Sequence, residues 1–105
     1  MWTALAAEVS DAPRFRWRGL MVDSARFFQP IGYLKKFVDV LSQHKFNVFH
    51  WHLVDDQGWR IEIKKYPQLT AVGSKRRETV RGHSANNLGG DGIPVEGFYT
   101  QDEIR

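Results

Sequence analysis

The residues best equipped for chemistry lie between Asn47 and Arg60, in the run NVFHWHLVDDQGWR. His50 and His52 are followed by Asp55 and Asp56, then by Gln57, Gly58, Trp59 and Arg60. Adjacent carboxylates beside an indole ring are what a sugar site uses. The carboxylates serve hydroxyls and proton transfer, and the flat ring serves the apolar face of the sugar. Upstream, Val48, Phe49, Trp51, Leu53 and Val54 are strand formers on both faces, which predicts a strand covered on both sides. The polar cluster then sits at the carboxyl end of a strand, where parallel α/β proteins place their chemistry.

The surrounding elements follow from periodicity. Trp17 to Asp23 reads as a first strand, and Ser24 to Gln29 as a connection holding Arg26 and two phenylalanines. Pro30 fits the first turn of a helix, where its missing N–H is no loss. Ile31, Leu34, Val38, Leu41 and Lys45 recur at three and four, with Phe37 widening the stripe, which predicts an amphipathic helix. His44 and Lys45 near its end suit the helix dipole. Residues 17–55 therefore read as strand, helix, strand, with a crossover long enough for parallel, right-handed pairing. Trp59 to Ile63 alternates like a short extension, and Tyr66 to Leu69 reads as a turn. Residues 73–97 read as a glycine-rich loop, long enough to be functional or mobile. Thr100 to Glu103 is a capping box that opens a second helix.

Bulk properties narrow the classes. The 105 residues allow one domain at most. With 42% apolar and 26% charged residues, the chain is expected to fold rather than stay disordered. Cysteine is absent, which excludes disulfides, thiolate metal sites and thiol nucleophiles. The net charge of +3 is spread along the chain, densest at Lys75, Arg76, Arg77 and Arg81, and forms no nucleic-acid module. No apolar stretch approaches the ~20 residues of a membrane span, and the N-terminus lacks the basic start of a signal peptide. Two parallel strands and one helix cannot cover both faces of a sheet, and a closed barrel needs about 250 residues. The expectation is a piece of a larger protein.

Four blocks carry a family resemblance: PRFRWRGLMVDSAR at 13–26, Gln29-Pro30, HWHLVDDQGWRIEI at 50–63, and GFYTQDEIR at 97–105. Together, in this order, they closely resemble the start of the catalytic domain of glycoside hydrolase family 20, the β-N-acetylhexosaminidases. The resemblance covers residues 11–105 and leaves 1–10 as an N-terminal segment, open to being the end of an upstream domain. It implies an α/β fold, the N-terminal portion, about two β/α units, of a (β/α)₈ TIM barrel. It implies hydrolysis of terminal N-acetylglucosamine or N-acetylgalactosamine from β-linked glycans, with retention, the substrate's own acetamido oxygen acting as nucleophile. It implies no metal or organic cofactor and leaves the compartment open, since members are often exported or lysosomal. The family's acid glutamate and its aspartate partner match nothing here. Asp55-Asp56 is not that pair, and Asp102-Glu103 belongs to the second helix. Arg26 matches the arginine that grips the terminal sugar's hydroxyls, and Asp55 matches an aspartate that supports the acid through a later histidine. Many members carry histidine where this chain has Phe27.

Each residue also has a plainer reading. Arg26 also reads as a surface arginine or a salt-bridge partner of Asp23, and Asp55 as a helix or loop cap. Asp56 reads as a loop-structuring residue. Arg18 reads as an ion-paired residue at the barrel base. His50 and His52 share a strand face and fit a metal-dependent amidohydrolase, the main rival chemistry, though further ligands are required. A non-catalytic, sugar-binding relic is the other alternative. Trp51 reads as core, while Trp59 serves a sugar or the packing equally well. Gly89 to Gly92 lacks the lysine and the strand–helix context of a phosphate cradle.

Overall fold

The computed structural model describes residues 3, 5–82 and 88–105. Strand β1 (Gly19–Asp23) runs parallel to β2 (Val48–His52), in a register that places Gly19 beside Val48 and Asp23 beside His52. Helix α1 (Ile31–Gln43) makes the crossover between them. The expected strand–helix–strand unit is thus present, with β1 starting two residues later than its apolar pattern. Pro30 is the N-cap rather than the first helical residue: its φ is −58°, but its ψ of 145° is extended. Its carbonyl accepts from the amides of Tyr33 and Leu34 at 2.9 and 3.2 Å.

The helix ends earlier than the apolar stripe predicts. Lys45 adopts φ 58°, a left-handed conformation that stops the helix. The Phe46 amide donates to Leu41 O and the Lys45 amide to Ser42 O, both at 3.0 Å. This is a Schellman closure with lysine where glycine is usual. Lys45 is held there by its ammonium, paired with Asp11, and by its carbonyl, which accepts Arg18 Nε at 2.6 Å. Arg18 therefore caps main-chain carbonyls, including that of Phe15, rather than making the expected ion pair.

Cover on β2 is one-sided, not two-sided. Phe49 and Trp51 face α1 and the C-terminal segment: Phe37 and Phe49 rings lie 6.0 Å apart, Trp51 and Tyr99 rings 4.4 Å. On the other face His50 and Met21 are exposed. The chain presents 8713 Å² of surface, with the N-terminal residues Leu5, Val9, Phe15 and Trp17 among the most exposed. A compact monomer of 12.2 kDa would present roughly 6,100 Å².

Beyond β2 the chain forms a hairpin of β3 (Val54–Asp55) and β4 (Gly58–Trp59). The predicted turn at 66–69 becomes a single helical turn, α2 (Gln68–Ala71). The expected loop at 73–97 folds back on itself: β5 (Lys75–Arg76) pairs antiparallel with β6 (Val95–Glu96), and Val80 bridges to Gly90. The first two residues of the Asn86–Gly92 stretch lie outside the described residues. Helix α3 (Gln101–Ile104) opens with the expected capping box, Thr100 with Glu103.

The carboxyl end of the sheet is fastened by Arg60, which is completely buried. Its guanidinium donates to the carbonyls of Ser24 (3.0 Å), Ala25 (3.2 Å), Ser74 (2.6 Å) and Gly97 (2.9 Å). Gly58 makes room for it, and Gly97 makes room for the neighbouring Phe28 ring. A Cβ on Gly58 would stand 2.8 Å from the Arg60 Nη2, and one on Gly97 would stand 2.5 Å from the Phe28 ring. Tyr99, also buried, donates to Gln29 O at 2.6 Å and lies 2.9 Å from Ser24 Oγ, which accepts the Trp51 indole N–H at 2.9 Å. Replacing Arg60 with methionine keeps apolar volume but removes the side-chain donor from four carbonyls, of which Ala25 O keeps Arg76 and Ser74 O keeps the Gly97 amide. We expect Arg60→Met to destabilise the fold by about 3 kcal/mol or more, read as a lowered urea midpoint. Arg60→Lys should recover less than half, because one ammonium cannot span the four acceptors.

Candidate functional site

The site forms where β1 and β2 end. The amides of Ser24 and Ala25 both donate to His52 O, at 3.0 and 3.2 Å, so the β1 turn closes over the end of β2. That turn projects Arg26. Asp23, the last residue of β1, accepts the Arg26 amide at 3.1 Å through Oδ1 and Arg26 Nη1 at 2.7 Å through Oδ2. The plainer reading of Arg26 is therefore correct as far as it goes, but the other arm of the guanidinium reaches the β3–β4 hairpin. Arg26 Nη2 lies 2.9 Å from Asp55 Oδ2. The two residues singled out in the sequence are thus in direct contact.

Two further groups complete the cluster. His52 Nε2 is 3.2 Å from Asp55 Oδ2 and 3.0 Å from Val54 O, and its Nδ1 is 3.7 Å from Asp23 Oδ1. Asp23 and His52 are adjacent in register, so their meeting follows from strand pairing. His50 stays apart: it is exposed, with its ring centroid 6.3 Å from that of His52. Among the described residues, no group of three or more His, Cys, Asp or Glu is placed to hold a metal ion. The metal reading thus has two histidines that point to different surroundings.

Asp55 also serves the hairpin, its Oδ1 accepting the Asp56 amide at 2.8 Å. It is Asp55, rather than Asp56, whose side chain structures this loop. Trp59 lines the adjacent cleft while its indole N–H donates to Ile61 O at 2.7 Å. The cleft, about 970 Å³, is bordered by Arg26, Phe27, Asp55, Trp59 and Arg76. It lies near the upper end of the roughly 300–1,000 Å³ of small-molecule sites. Arg26 keeps 41% of its side chain exposed, so donors not engaged by the two carboxylates face solvent.

The charges are balanced so that both carboxylates stay ionised. At Asp55 the Asp56 amide is the main influence, followed by the Asp56 side chain and then by Arg26, and against partial desolvation they hold the carboxyl below its ordinary value. At Asp23 partial burial pushes the other way, but hydrogen bonds and charge from Arg26 outweigh it. Arg26 is raised in turn, first by its hydrogen bond to Asp23. A carboxyl lowered in the folded state favours folding above its unfolded value of about 3.9. That contribution fades as the pH falls through the folded value. We expect carboxyl ¹³C titration to place the Asp23 and Asp55 midpoints below those of unstructured aspartates. A midpoint at or above the ordinary value for Asp55 would mean that neither the hydrogen bond from the Asp56 amide nor the Arg26 contact persists in solution.

Comparison with known proteins bears directly on this geometry. Residues 15–105 match the glycosyl hydrolase family 20 catalytic domain. Over 97 residues the chain is 50% identical to the beta-hexosaminidase of Akkermansia muciniphila, covering 92% of this chain and 18% of that protein. Over 103 residues it is 47% identical to the beta-hexosaminidase of Porphyromonas gingivalis, covering 98% of this chain and 12% of the other. A beta-N-acetylhexosaminidase crystal structure superposes with a TM-score of 0.77 at 51% identity, over 90% of this chain and 18% of its own. The Vibrio harveyi exo beta-N-acetylglucosaminidase, solved with N-acetylglucosamine, gives 0.73 at 43% identity, over 90% of this chain and 14% of its own. The chain thus spans less than a fifth of the length of these relatives. With nearly all of its residues inside one match, the chain belongs to glycosyl hydrolase family 20.

Proposed function

We propose that these residues form the first two β/α units of the (β/α)₈ barrel of an exo-acting β-N-acetylhexosaminidase. The observation that carries this is the Arg26–Asp55 contact at the carboxyl ends of two parallel strands, beside a cleft lined by Trp59. The carboxyl end of barrel strands is where such enzymes hold their chemistry. The substrates are β-linked glycans ending in N-acetylglucosamine or N-acetylgalactosamine.

Arg26 binds. Its planar guanidinium, oriented by Asp23 and Asp55, offers paired donors that match vicinal hydroxyls of the terminal sugar. Asp55 supports proton transfer at a distance, as a fixed anion for a histidine from outside this chain. Neither carboxylate is suited to be the acid itself. A general acid needs a value raised toward the working pH, and Asp23 and Asp55 are both lowered. Glu103 is lowered too and is engaged in its capping box, with Thr100 N donating to Oε2 at 2.8 Å. The family resemblance implies that the acid glutamate and its aspartate partner lie beyond Arg105. There they protonate the leaving oxygen and steady the acetamido group, which attacks the anomeric carbon.

That same lack of a raised carboxyl favours the second reading, a sugar-binding chain without catalysis. One comparison separates them. The product of the complete reading frame should release the chromophore from a nitrophenyl N-acetyl-β-glucosaminide, with the β-anomer formed first by NMR. Residues 1–105 alone should release none. Turnover by a homogeneous sample of residues 1–105 would overturn the assignment of the acid, and no turnover by the complete product would leave the binding reading. In the complete product, Arg26→Ala should lower kcat/KM by roughly 100-fold, the worth of a charged hydrogen-bonded pair. An unchanged value would remove Arg26 from the sugar site.

A further inference from the structure

Arg76 lies in the loop-derived strand β5, fifty residues from Arg26, and its role is set by what it touches. Its Nη1 donates to Ala25 O at 3.2 Å and to Gln57 O at 3.3 Å. Its Nη2 donates to the carbonyl of Arg26 and to Thr79 Oγ1, the latter at 2.8 Å. The partners are three main-chain carbonyls and a hydroxyl. Two of those carbonyls belong to the turn that projects Arg26. The third belongs to the hairpin turn two residues after Asp55. The guanidinium is therefore a strut between the two loops whose side chains meet across 2.9 Å.

Other ties act within one loop or behind it. The Asp23 contact with Arg26 is made inside a single turn and needs no outside brace. Arg60 holds the carbonyls of Ser24 and Ala25 from below, but does not reach the Asp56–Gln57 turn. The contact between Arg26 and Asp55 crosses from one loop to the other. Among the described residues, Arg76 is the side chain that bonds to both.

We propose that Arg76 is a positioning residue, which fixes the Arg26 turn against the Gln57 turn and so sets the separation of the Arg26 guanidinium from the Asp55 carboxylate. It touches neither group's charged end. Its kinetic consequence rests on the sugar-hydrolase reading, but the geometry does not.

Arg76→Lys tests this with charge retained. A lysine ammonium is a single point and cannot hold three carbonyls and a hydroxyl on a planar fork. The groups facing Asp55 are Arg26, His52 and the Asp56 amide, with Asp23 across Arg26. In Arg76→Lys, carboxyl ¹³C titration should show the Asp55 midpoint rising toward the ordinary value while that of Asp23 stays put. Retained ring-current shifts from the Trp51–Tyr99 contact show that the fold persists, and Arg76→Gln, read at Asp55 alone because the lost charge also acts on Asp23, is the second variant should lysine disturb it. If neither midpoint moves, Arg76 does not position the pair. Movement of both, or of Asp23 alone, would assign Arg76 a general or purely electrostatic role and overturn the proposal. The second readout is kinetic. In the complete gene product, Arg76→Lys should reduce kcat/KM by roughly tenfold to a hundredfold, the effect of an ångström-scale misplacement. That reduction should vanish in an Arg26→Ala background, because the two residues act through one interaction. Independent, additive losses would overturn the proposal. An inactive wild type would sink the hydrolase reading, and the titration would still decide the role of Arg76.

Discussion

The burial of one guanidinium, that of Arg60, is the constraint on which the rest of this structure depends. A charged group removed from water costs several kcal/mol unless its hydrogen bonds are replaced. Among the described residues, no carboxylate pairs with Arg60 to offset its charge. It has instead four carbonyls, drawn from residues 24, 25, 74 and 97. Burial lowers its pKa, and the neighbouring Arg76 charge acts in the same sense, but an arginine starts so high that it stays protonated. The four acceptors come from three separate stretches of chain. Satisfying the charge therefore forces the end of β1, the start of β5 and the segment before Tyr99 to converge. The glycines at 58 and 97 are consequences of that convergence, since side chains there would occupy the space that Arg60 and Phe28 need.

The sequence was legible where one local rule decides the outcome. The parallel strands and their crossover helix follow from apolar spacing, and the capping box at Thr100 and Glu103 is a pattern within one turn. Arg26 and Asp55 were found by resemblance, and strand topology explains why they meet. The sequence was opaque where the outcome depends on contacts far along the chain. Nothing local marks Arg60 as buried, because its acceptors lie up to 37 residues away. The alternation of Trp59 to Ile63 puts Arg60 on the polar side, the opposite of its burial. The hairpin turn at Asp56-Gln57 lacks the asparagine–glycine signature. Helix α1 ends on Lys45, not on glycine, because contacts with Asp11 and Arg18 hold a conformation that lysine alone disfavours. His52 was weighed as a metal ligand with His50. Alternation does put both on one face, but pairing with β1 turns His52 toward Asp23 and Asp55.

The cluster at the strand ends is arranged for binding more than for proton transfer. Asp23 and Asp55 flank Arg26 from opposite sides, each accepting from one arm of the fork. Both carboxylates are thereby held ionised, and the guanidinium is held in one orientation before any ligand arrives. Preorganisation of this kind lowers the entropy lost on binding. It also fixes which chemistry these residues leave to others, because anions stabilised this strongly are poor acids.

The way the cluster is braced explains how a partly exposed site can still be well ordered. Arg60 and Arg76 grip main-chain carbonyls, and Tyr99 grips that of Gln29. A carbonyl is present whatever the side chain, so these braces place no demand on the identity of residue 26. Among the described residues, the side chain of Arg26 is then oriented by Asp23 and Asp55 alone. Among the described residues, Met21 and His50, lower on the sheet, have no such braces and are exposed. Order in this chain is thus concentrated at the carboxyl ends of its two parallel strands. That is the end where a rigid main chain is useful, because a guanidinium displaced by an ångström no longer meets both carboxylates at once.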